Sequence, residues 1–153
     1  VTGVQTCALP ICPIEKGVIL LAANVAQVEH LLTGLSPEIK EEVIASWSRR
    51  SPAERATTWL LPAGEEIPGW IKGSHPKVAV RVTAHSLCAA LCHAFNGFIV
   101  STSANPAGME SARSLQEASR YFGAELHYLN GDLGLSQQPS RIIDAETGEV
   151  IRA

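Results

Sequence analysis

The sequence predicts an α/β protein in which helices flank a β-sheet, and the region from Lys77 to Gly108 carries most of the evidence. Val78–Val82 is a short β-branched run that suits a strand. Ser86–Phe95 is mostly apolar and too long for a typical strand, so a buried helix is the better interpretation. A second apolar strand, Phe98–Val100, runs straight into a polar turn at 101–108. The length of 153 residues suits one domain with its own core.

Upstream of this region the chain alternates strand and helix signals. Val18–Ala22 reads as a strand, and Asn24 begins a helix with apolar residues on one face, which Gly34 ends. Ser36-Pro37-Glu38 opens a second helix with a cap, a proline at the first helical position and an early acid. That helix ends near Trp47.

Further short elements follow on both sides of the central region. Trp59-Leu60-Leu61 reads as a strand, and the sequence from Ser114 to Glu117 is a capping box that opens a helix. Leu126–Leu129 is predicted to be a short strand. The strand Ile142-Ile143 leads through a hairpin turn at Thr147-Gly148 into a final strand at Val150-Ile151.

Composition excludes several classes of protein. The chain is 46% hydrophobic and 18% charged, which is ordinary for a globular protein and unlike a disordered one. Its formal charge of −3 provides no global attraction to nucleic acid. No apolar run approaches a membrane span, and the N-terminus lacks the charged region of a secretory signal. We therefore expect a cytoplasmic protein without membrane contact.

The polar turn and Arg81 are candidate ligands for an anion or a small polar molecule. Four of the five residues 101–105 carry a hydroxyl or an amide, immediately after an apolar strand, and open α/β sheets bind ligands at such positions. A guanidinium inside an apolar strand must be paired or face a wet cleft, because an uncompensated buried charge is costly. The residues alone leave a second interpretation equally open, in which the turn caps a helix and Arg81 makes a structural ion pair.

Other titratable residues are expected to lie outside the site. Cys88 and Cys92 are spaced i, i+4, but the sequence supplies no further ligands at zinc-like spacing, so we predict core cysteines and no metal site. His85 begins the central helix and is expected to be a cap or a surface residue. Asp144 and Glu149 lie near the last hairpin and are expected to be solvated.

Several stretches of the sequence resemble one known family. VAVRVTAH at 78–85 and VSTSANPAG at 100–108 are similar to the signature region of the YrdC-like family, the TsaC-type threonylcarbamoyl-adenylate synthases. PIEKGVIL at 13–20, PSRIID at 139–144 and TGEV at 147–150 agree with it in order and spacing. The resemblance implies a twisted mixed β-sheet with flanking helices and a concave ligand cleft.

The resemblance also implies a reaction and its ligands. L-threonine, bicarbonate and ATP would give threonylcarbamoyl-AMP and pyrophosphate, for the t6A modification of tRNA, with Mg²⁺ accompanying ATP and with tRNA or t6A-pathway proteins as further partners. Arg81 and Ser101 would bind L-threonine, and Thr58 matches a threonine of the family. The residues that would bind ATP are Lys16, Ser103, Asn105, Ser111, Ser140 and Arg141. No side chain has the setting of a covalent nucleophile, so catalysis by positioning and charge stabilisation is expected.

Two stretches depart from the family pattern. Residues 1–12, VTGVQTCALPIC, resemble a translated sequencing-adapter peptide, so we expect them to be non-native and residues 13–153 to form a YrdC-like domain that lacks its N-terminal portion. Such a chain is expected to have weak or no activity. Between Ser48 and Thr58 a longer polar loop with three arginines replaces a compact glycine turn of the family.

Two other functions remain open at the level of sequence. A module that binds RNA without chemistry would use Arg49, Arg50, Arg55 and Lys72, although the acidic balance and the lack of interleaved aromatic residues disfavour it. A YrdC-like domain of a carbamoyltransferase is the other alternative.

Overall fold

The protein is built on a six-stranded mixed β-sheet with helices packed against it. The computed structural model describes residues 17–48, 54–65, 67–106, 108–124, 126–134, 136 and 138–153. Within these residues the strands are β1 (Ile19–Ala22), β2 (Thr57–Pro62), β3 (Lys77–Val82), β4 (Ile99–Ser101), β5 (Arg141–Asp144) and β6 (Val150–Arg152). Their order in the sheet is β4-β1-β3-β2-β5-β6. The β1–β3 and β2–β5 pairs are parallel, and the other neighbouring pairs are antiparallel.

Five α-helices connect these strands in the described part of the chain. They are α1 (Val25–Val28), α2 (Pro37–Ser48), α3 (Gly69–Lys72), α4 (Ser86–Phe95) and α5 (Leu115–Phe122). A 3₁₀ turn over Glu29–Leu32 continues α1, so the helix predicted to begin at Asn24 exists but tightens after one turn. Asn24 and Ser114 cap α1 and α5 through their side chains, as predicted.

The sheet has one buried face and one face that is partly open. Along β3, Val78, Val80 and Val82 are buried, whereas Lys77, Ala79 and Arg81 between them are partly exposed. Because successive strand residues point to opposite faces, the valines and the polar side chains lie on different sides of the sheet. The valines join the hydrophobic core, which also contains Leu20, Leu32, Val43, Trp47, Trp59 and Leu61.

The predicted α/β class is confirmed, and one predicted strand is wrong. Residues 126–129 form no strand. The hydroxyl of Tyr128 instead donates to the carbonyl of Gly123 at 2.6 Å, which fixes this segment to the end of α5. Side-chain docking has therefore overridden the local β-propensity of this segment. None of the helices in the described residues is long and apolar enough to cross a membrane.

Candidate functional site

A cavity of about 980 Å³ lies on the partly open face of the sheet. Its floor includes Ala79 and Arg81 of β3, Leu60 of β2 and Ile142 of β5. Segments that follow β4 and precede β5 form its walls. The cavity is therefore made from the strand faces that the hydrophobic core leaves uncovered.

Two arginines stand at the ends of one row that crosses four neighbouring strands. Trp59 pairs with Val80, which places Thr58 beside Arg81. Thr58 is in register with Ile142, and Ile142 is in register with Arg152. Neighbouring strands lie about 4.8 Å apart, so the Cα atoms of Arg81 and Arg152 are separated by roughly 14 Å. Both arginines line the cavity and can meet different parts of one extended ligand.

A buried hydrogen-bond network orients the Arg152 end of this row. Thr58, which is fully buried, donates its hydroxyl to Ser140 Oγ at 2.9 Å. Arg152 Nη2 donates to the same Ser140 Oγ at 3.0 Å, and its Nε donates to the Ser140 carbonyl at 2.8 Å. Burial, together with the nearby charge of Arg55, lowers the pKa of Arg152. A desolvated guanidinium beside a second cation favours an anionic ligand.

The hydroxyl-rich turn after β4 forms the opposite wall, and Asn105 holds its shape. Ser103 and Ser111 line the cavity. The Asn105 side-chain amide donates to the Met109 carbonyl at 2.9 Å, while its Oδ1 accepts from Ser111 Oγ at 3.1 Å. The Ala112 amide donates to the Ala104 carbonyl at 2.8 Å and closes the same loop. Asn105 is thus placed to shape the turn that presents the two serines.

The structure brings most of the predicted site residues to this one cavity. Its lining includes Arg81, Ser101, Ser103, Ser111 and Ser140. Thr58, Asn105 and Arg141 are not among the described lining residues. Arg141 Nε donates to Thr57 Oγ1 at 2.8 Å, and in β5 the lining residues Ile142 and Asp144 alternate with Arg141 and Ile143. Lys16, Arg49 and Arg50 fall outside the described residues.

Asp144 was expected to be solvated, and this prediction is wrong. The residue is only 8% exposed, and both of its carboxylate oxygens accept from Lys77 Nζ, at 2.7 and 2.8 Å. Burial raises the pKa of Asp144, but hydrogen bonds from Lys77 and from the amides of Thr147 and Glu146 outweigh burial, so that the pKa is lowered. The hydrogen bonds to Asp144 and Glu146 raise the pKa of Lys77. Glu149 is exposed, as predicted.

Lys77 and Arg152 line the cavity, although neither was predicted from the sequence to be a site residue. Arg152 offers the same signal as Arg81, a guanidinium within a short apolar strand, but it lies one residue from the chain end. Lys77 has no such signal, because its acidic partner follows 67 residues later.

The charge of the cavity differs in sign from that of the whole chain. The chain carries a formal net charge of −3. Among the described lining residues, Lys77, Arg81, Arg113 and Arg152 are cations and Asp144 is the one carboxylate. Because Asp144 is already paired with Lys77, the cavity wall suits an anionic ligand.

The cysteines and other potential metal ligands do not form a metal site in the described part of the chain. No group of three or more His, Cys, Asp or Glu side chains there is arranged to hold a metal ion. Cys92 is fully buried and donates its thiol to the Leu21 carbonyl, which confirms it as a core cysteine, while Cys88 is half-buried.

Comparisons with known proteins agree with this geometry. Residues 9–153 match the Sua5, YciO and YrdC family, which carries the description "Telomere recombination". The threonylcarbamoyl-AMP synthase of Acinetobacter baumannii (strain ATCC 17978) is 69% identical over 140 residues, which cover 92% of this chain and 74% of that protein. The enzyme of the same name from Acinetobacter baylyi is 69% identical over 149 residues, covering 97% of this chain and 78% of that protein.

Two solved structures of P. abyssi Sua5 share the fold. A doubly substituted Sua5 superposes with a TM-score of 0.73 at 27% identity and covers 87% of this chain. Sua5 complexed with L-threonine gives a TM-score of 0.69 at 28% identity and covers 86% of this chain. The present chain spans only 39% and 37% of those two Sua5 chains.

Proposed function

We propose a specific reaction for this chain, which belongs to the Sua5, YciO and YrdC family: the synthesis of threonylcarbamoyl-AMP from L-threonine, bicarbonate and ATP. The observation that carries the proposal is the single cavity that joins Arg81 to the hydroxyl-rich turn after β4 and to Ser140 and Arg152. A site for this reaction must hold an amino acid and a nucleotide side by side. The names of the 69% identical relatives support the same reaction.

Arg81 and Ser101 are the proposed ligands of L-threonine. A guanidinium forms two parallel hydrogen bonds with a carboxylate, which fixes the orientation of the amino acid as well as its position. Ser101 ends β4 and is in register with Ile19, while Arg81 is in register with Leu21. The two side chains therefore approach the cavity from strands on either side of β1.

The nucleotide is proposed to lie along the serines and Arg152. Ser103, Ser111 and Ser140 line the cavity with hydroxyl groups, and Arg152 adds a positive charge beside Ser140. Thr58 and Asn105 support Ser140 and Ser111 through hydrogen bonds. Arg141, the next residue after Ser140, is a further proposed ATP ligand. Lys16 completes the proposed ATP ligands.

Magnesium is proposed to enter as part of the substrate MgATP. The one carboxylate among the described lining residues, Asp144, is held by Lys77 at 2.7 Å. The wall therefore offers few oxygen ligands to a hard cation, and the phosphate oxygens of ATP are the better ligands.

The chemistry requires positioning and charge stabilisation. The threonine amine reacts with bicarbonate to give a carbamate and water. A carbamate oxygen then attacks the α-phosphorus, forming the new P–O bond as the bond to pyrophosphate breaks. Negative charge builds up on the phosphoryl oxygens during this step, and fixed hydroxyl and guanidinium donors stabilise it. The product would pass to tRNA or to other t6A-pathway proteins, in the cytoplasm, where ATP is supplied.

The test is a product assay with each substrate omitted in turn. The purified chain is incubated with MgATP, L-threonine and labelled bicarbonate, and threonylcarbamoyl-AMP and pyrophosphate are measured by mass spectrometry. We expect equimolar products that require all three substrates and that form at a low rate, in line with the weak activity expected from the sequence. Carbamoyl transfer from carbamoyl phosphate without ATP, or RNA binding with no product, would reject the proposal in favour of the two alternatives.

A further inference from the structure

The ring of His85 connects the strand that carries Arg81 to a loop that lines the cavity. His85 precedes α4 at its N-cap position, but its side chain makes no capping hydrogen bond. Instead Nε2 lies 2.9 Å from the carbonyl oxygen of Asp132. A carbonyl only accepts, so Nε2 carries the proton and donates. His85 thus occupies the expected cap position at the start of α4, but its side chain does not cap the helix.

The backbone around His85 is itself fixed to the sheet. The Thr83 amide donates to the Ala22 carbonyl at 2.9 Å, immediately beyond the end of β3. Thr83 Oγ1 then accepts from the His85 amide at 3.1 Å. A chain of short hydrogen bonds thus runs from the ends of β1 and β3 to the imidazole and on to Asp132.

The loop on the far side of this contact supplies one wall of the cavity. Leu133, Gly134, Ser136 and Gln138 line it, directly after Asp132 and before Ser140. The neighbouring Gly131 lies so close to α4 that a Cβ atom there would stand 2.7 Å from Leu87 Cδ2. The hydrogen bond from His85 and the close approach of Gly131 to Leu87 therefore hold the loop against the start of α4.

We infer that His85 is a positioning residue of the proposed synthase and that it holds the wall formed by Leu133, Gly134, Ser136 and Gln138 at a fixed distance from Arg81. It lies outside the cavity lining among the described residues, so it acts through the wall and not on the substrate. The Nδ1 atom is buried and has no hydrogen-bond partner among the described residues, so the ring has one polar anchor, at Nε2. Without the hydrogen bond from Nε2, the loop would be held less firmly near Ser140, where the nucleotide is proposed to bind, whereas Arg81 would keep its position. The inference concerns how the proposed function is achieved and rests on it for the kinetic test alone.

Two substitutions separate the hydrogen bond from the bulk of the ring. His85→Phe keeps a planar ring but removes the donor, and His85→Gln places an amide donor at a similar distance from the backbone. The net free energy of a typical hydrogen bond is modest. We therefore expect His85→Phe to raise KM for ATP about threefold to tenfold and to keep kcat within about twofold of the wild-type value. His85→Gln should restore KM. His93→Ala, an exposed histidine on the same helix, is the matched control and should change neither constant.

A readout independent of activity distinguishes this inference from the proposed function. Amide NMR resonances of Gly131, Leu133 and Gly134 should shift in His85→Phe, return in His85→Gln and stay unchanged in His93→Ala. If the wild-type chain makes no product, the proposed function fails and the NMR comparison still decides whether His85 positions the loop. Unchanged loop resonances in His85→Phe, or a lowered kcat that His85→Gln does not restore, would overturn the inference.

Discussion

Lys77 and Asp144 form an ion pair across a strand that lies between them. Lys77 Nζ is 2.7 Å from Asp144 Oδ2 and 2.8 Å from Oδ1, although β2 separates β3 from β5 in the sheet. Leu60 of β2 is in register with Asp144, so the lysine side chain passes over β2 on the cavity side. Glu146 Oε2 accepts from the same ammonium at 2.7 Å. The ion pair therefore links β3 to β5 across β2 at the floor of the cavity.

Replacing Lys77 by methionine should destabilise the protein. The substitution keeps the unbranched side chain up to the position of Cε but leaves the Asp144 carboxylate, whose side chain is 12% exposed, without its cation. We expect the free energy of unfolding to fall by about 1–3 kcal/mol in urea denaturation. Lys40→Met is the control, because Lys40 and Glu29 are 3.7 Å apart and more exposed, and its effect should be about 0–1 kcal/mol. Equal effects of the two substitutions would show that the Lys77 pair has no special role.

The same pair should make stability depend on pH at the acid end. The pKa of Asp144 is lowered below its ordinary value of 3.8, so the folded state binds its proton less readily than the unfolded state. The resulting stabilisation is complete above that ordinary value and is lost as the pH falls from about 5 through the lowered pKa. Asp144→Asn removes this titration. The difference in unfolding free energy between wild type and Asp144→Asn should therefore shrink as the pH is lowered from 6 to about 2.5, and a constant difference would contradict the assignment.

Arg81 should control the affinity for L-threonine. Arg81→Ala removes the fork that is proposed to bind the carboxylate, and charge-assisted hydrogen bonds of this kind are strong. We expect KM for threonine to rise about 10- to 100-fold, while KM for ATP changes much less. Arg120→Ala changes an exposed arginine on α5 and serves as the control. A larger effect on ATP than on threonine would assign Arg81 to the nucleotide instead.

Arg152 should control the affinity for ATP. Arg152→Met removes the cation that donates to Ser140. We expect weaker ATP binding in calorimetry, by about tenfold, and a smaller dependence of that binding on salt, because fewer charges are screened. Thr58→Val removes only the hydroxyl behind Ser140 and should have a smaller effect with an unchanged salt dependence. Equal salt dependence in wild type and Arg152→Met would exclude a direct contact with phosphate.

The sequence predicted those features that depend on local pattern. The guanidinium inside the apolar run of β3 marked Arg81 as a candidate ligand, and the run of hydroxyl residues after β4 marked a second candidate segment; both line the cavity. The capping box at Ser114 also predicts the start of α5. Each of these signals is contained within about ten residues.

Features that depend on long-range contacts were not predicted. Asp144 looks like a solvated turn residue until β5 is placed two strands away from Lys77. The Leu126–Leu129 segment has strand-forming residues, but the docking of Tyr128 on α5 keeps it out of the sheet. His85 resembles a helix cap, and only the fold brings Asp132, 47 residues later, within reach of its ring.

The most direct test of the central claim is a crystal structure with L-threonine and a non-hydrolysable ATP analogue bound together. We expect the threonine carboxylate within hydrogen-bond distance of the Arg81 guanidinium and the phosphates against Ser103 and Arg152, in the cavity described on the open face of the sheet. Threonine bound away from Arg81, or the two ligands in separate cavities, would contradict it.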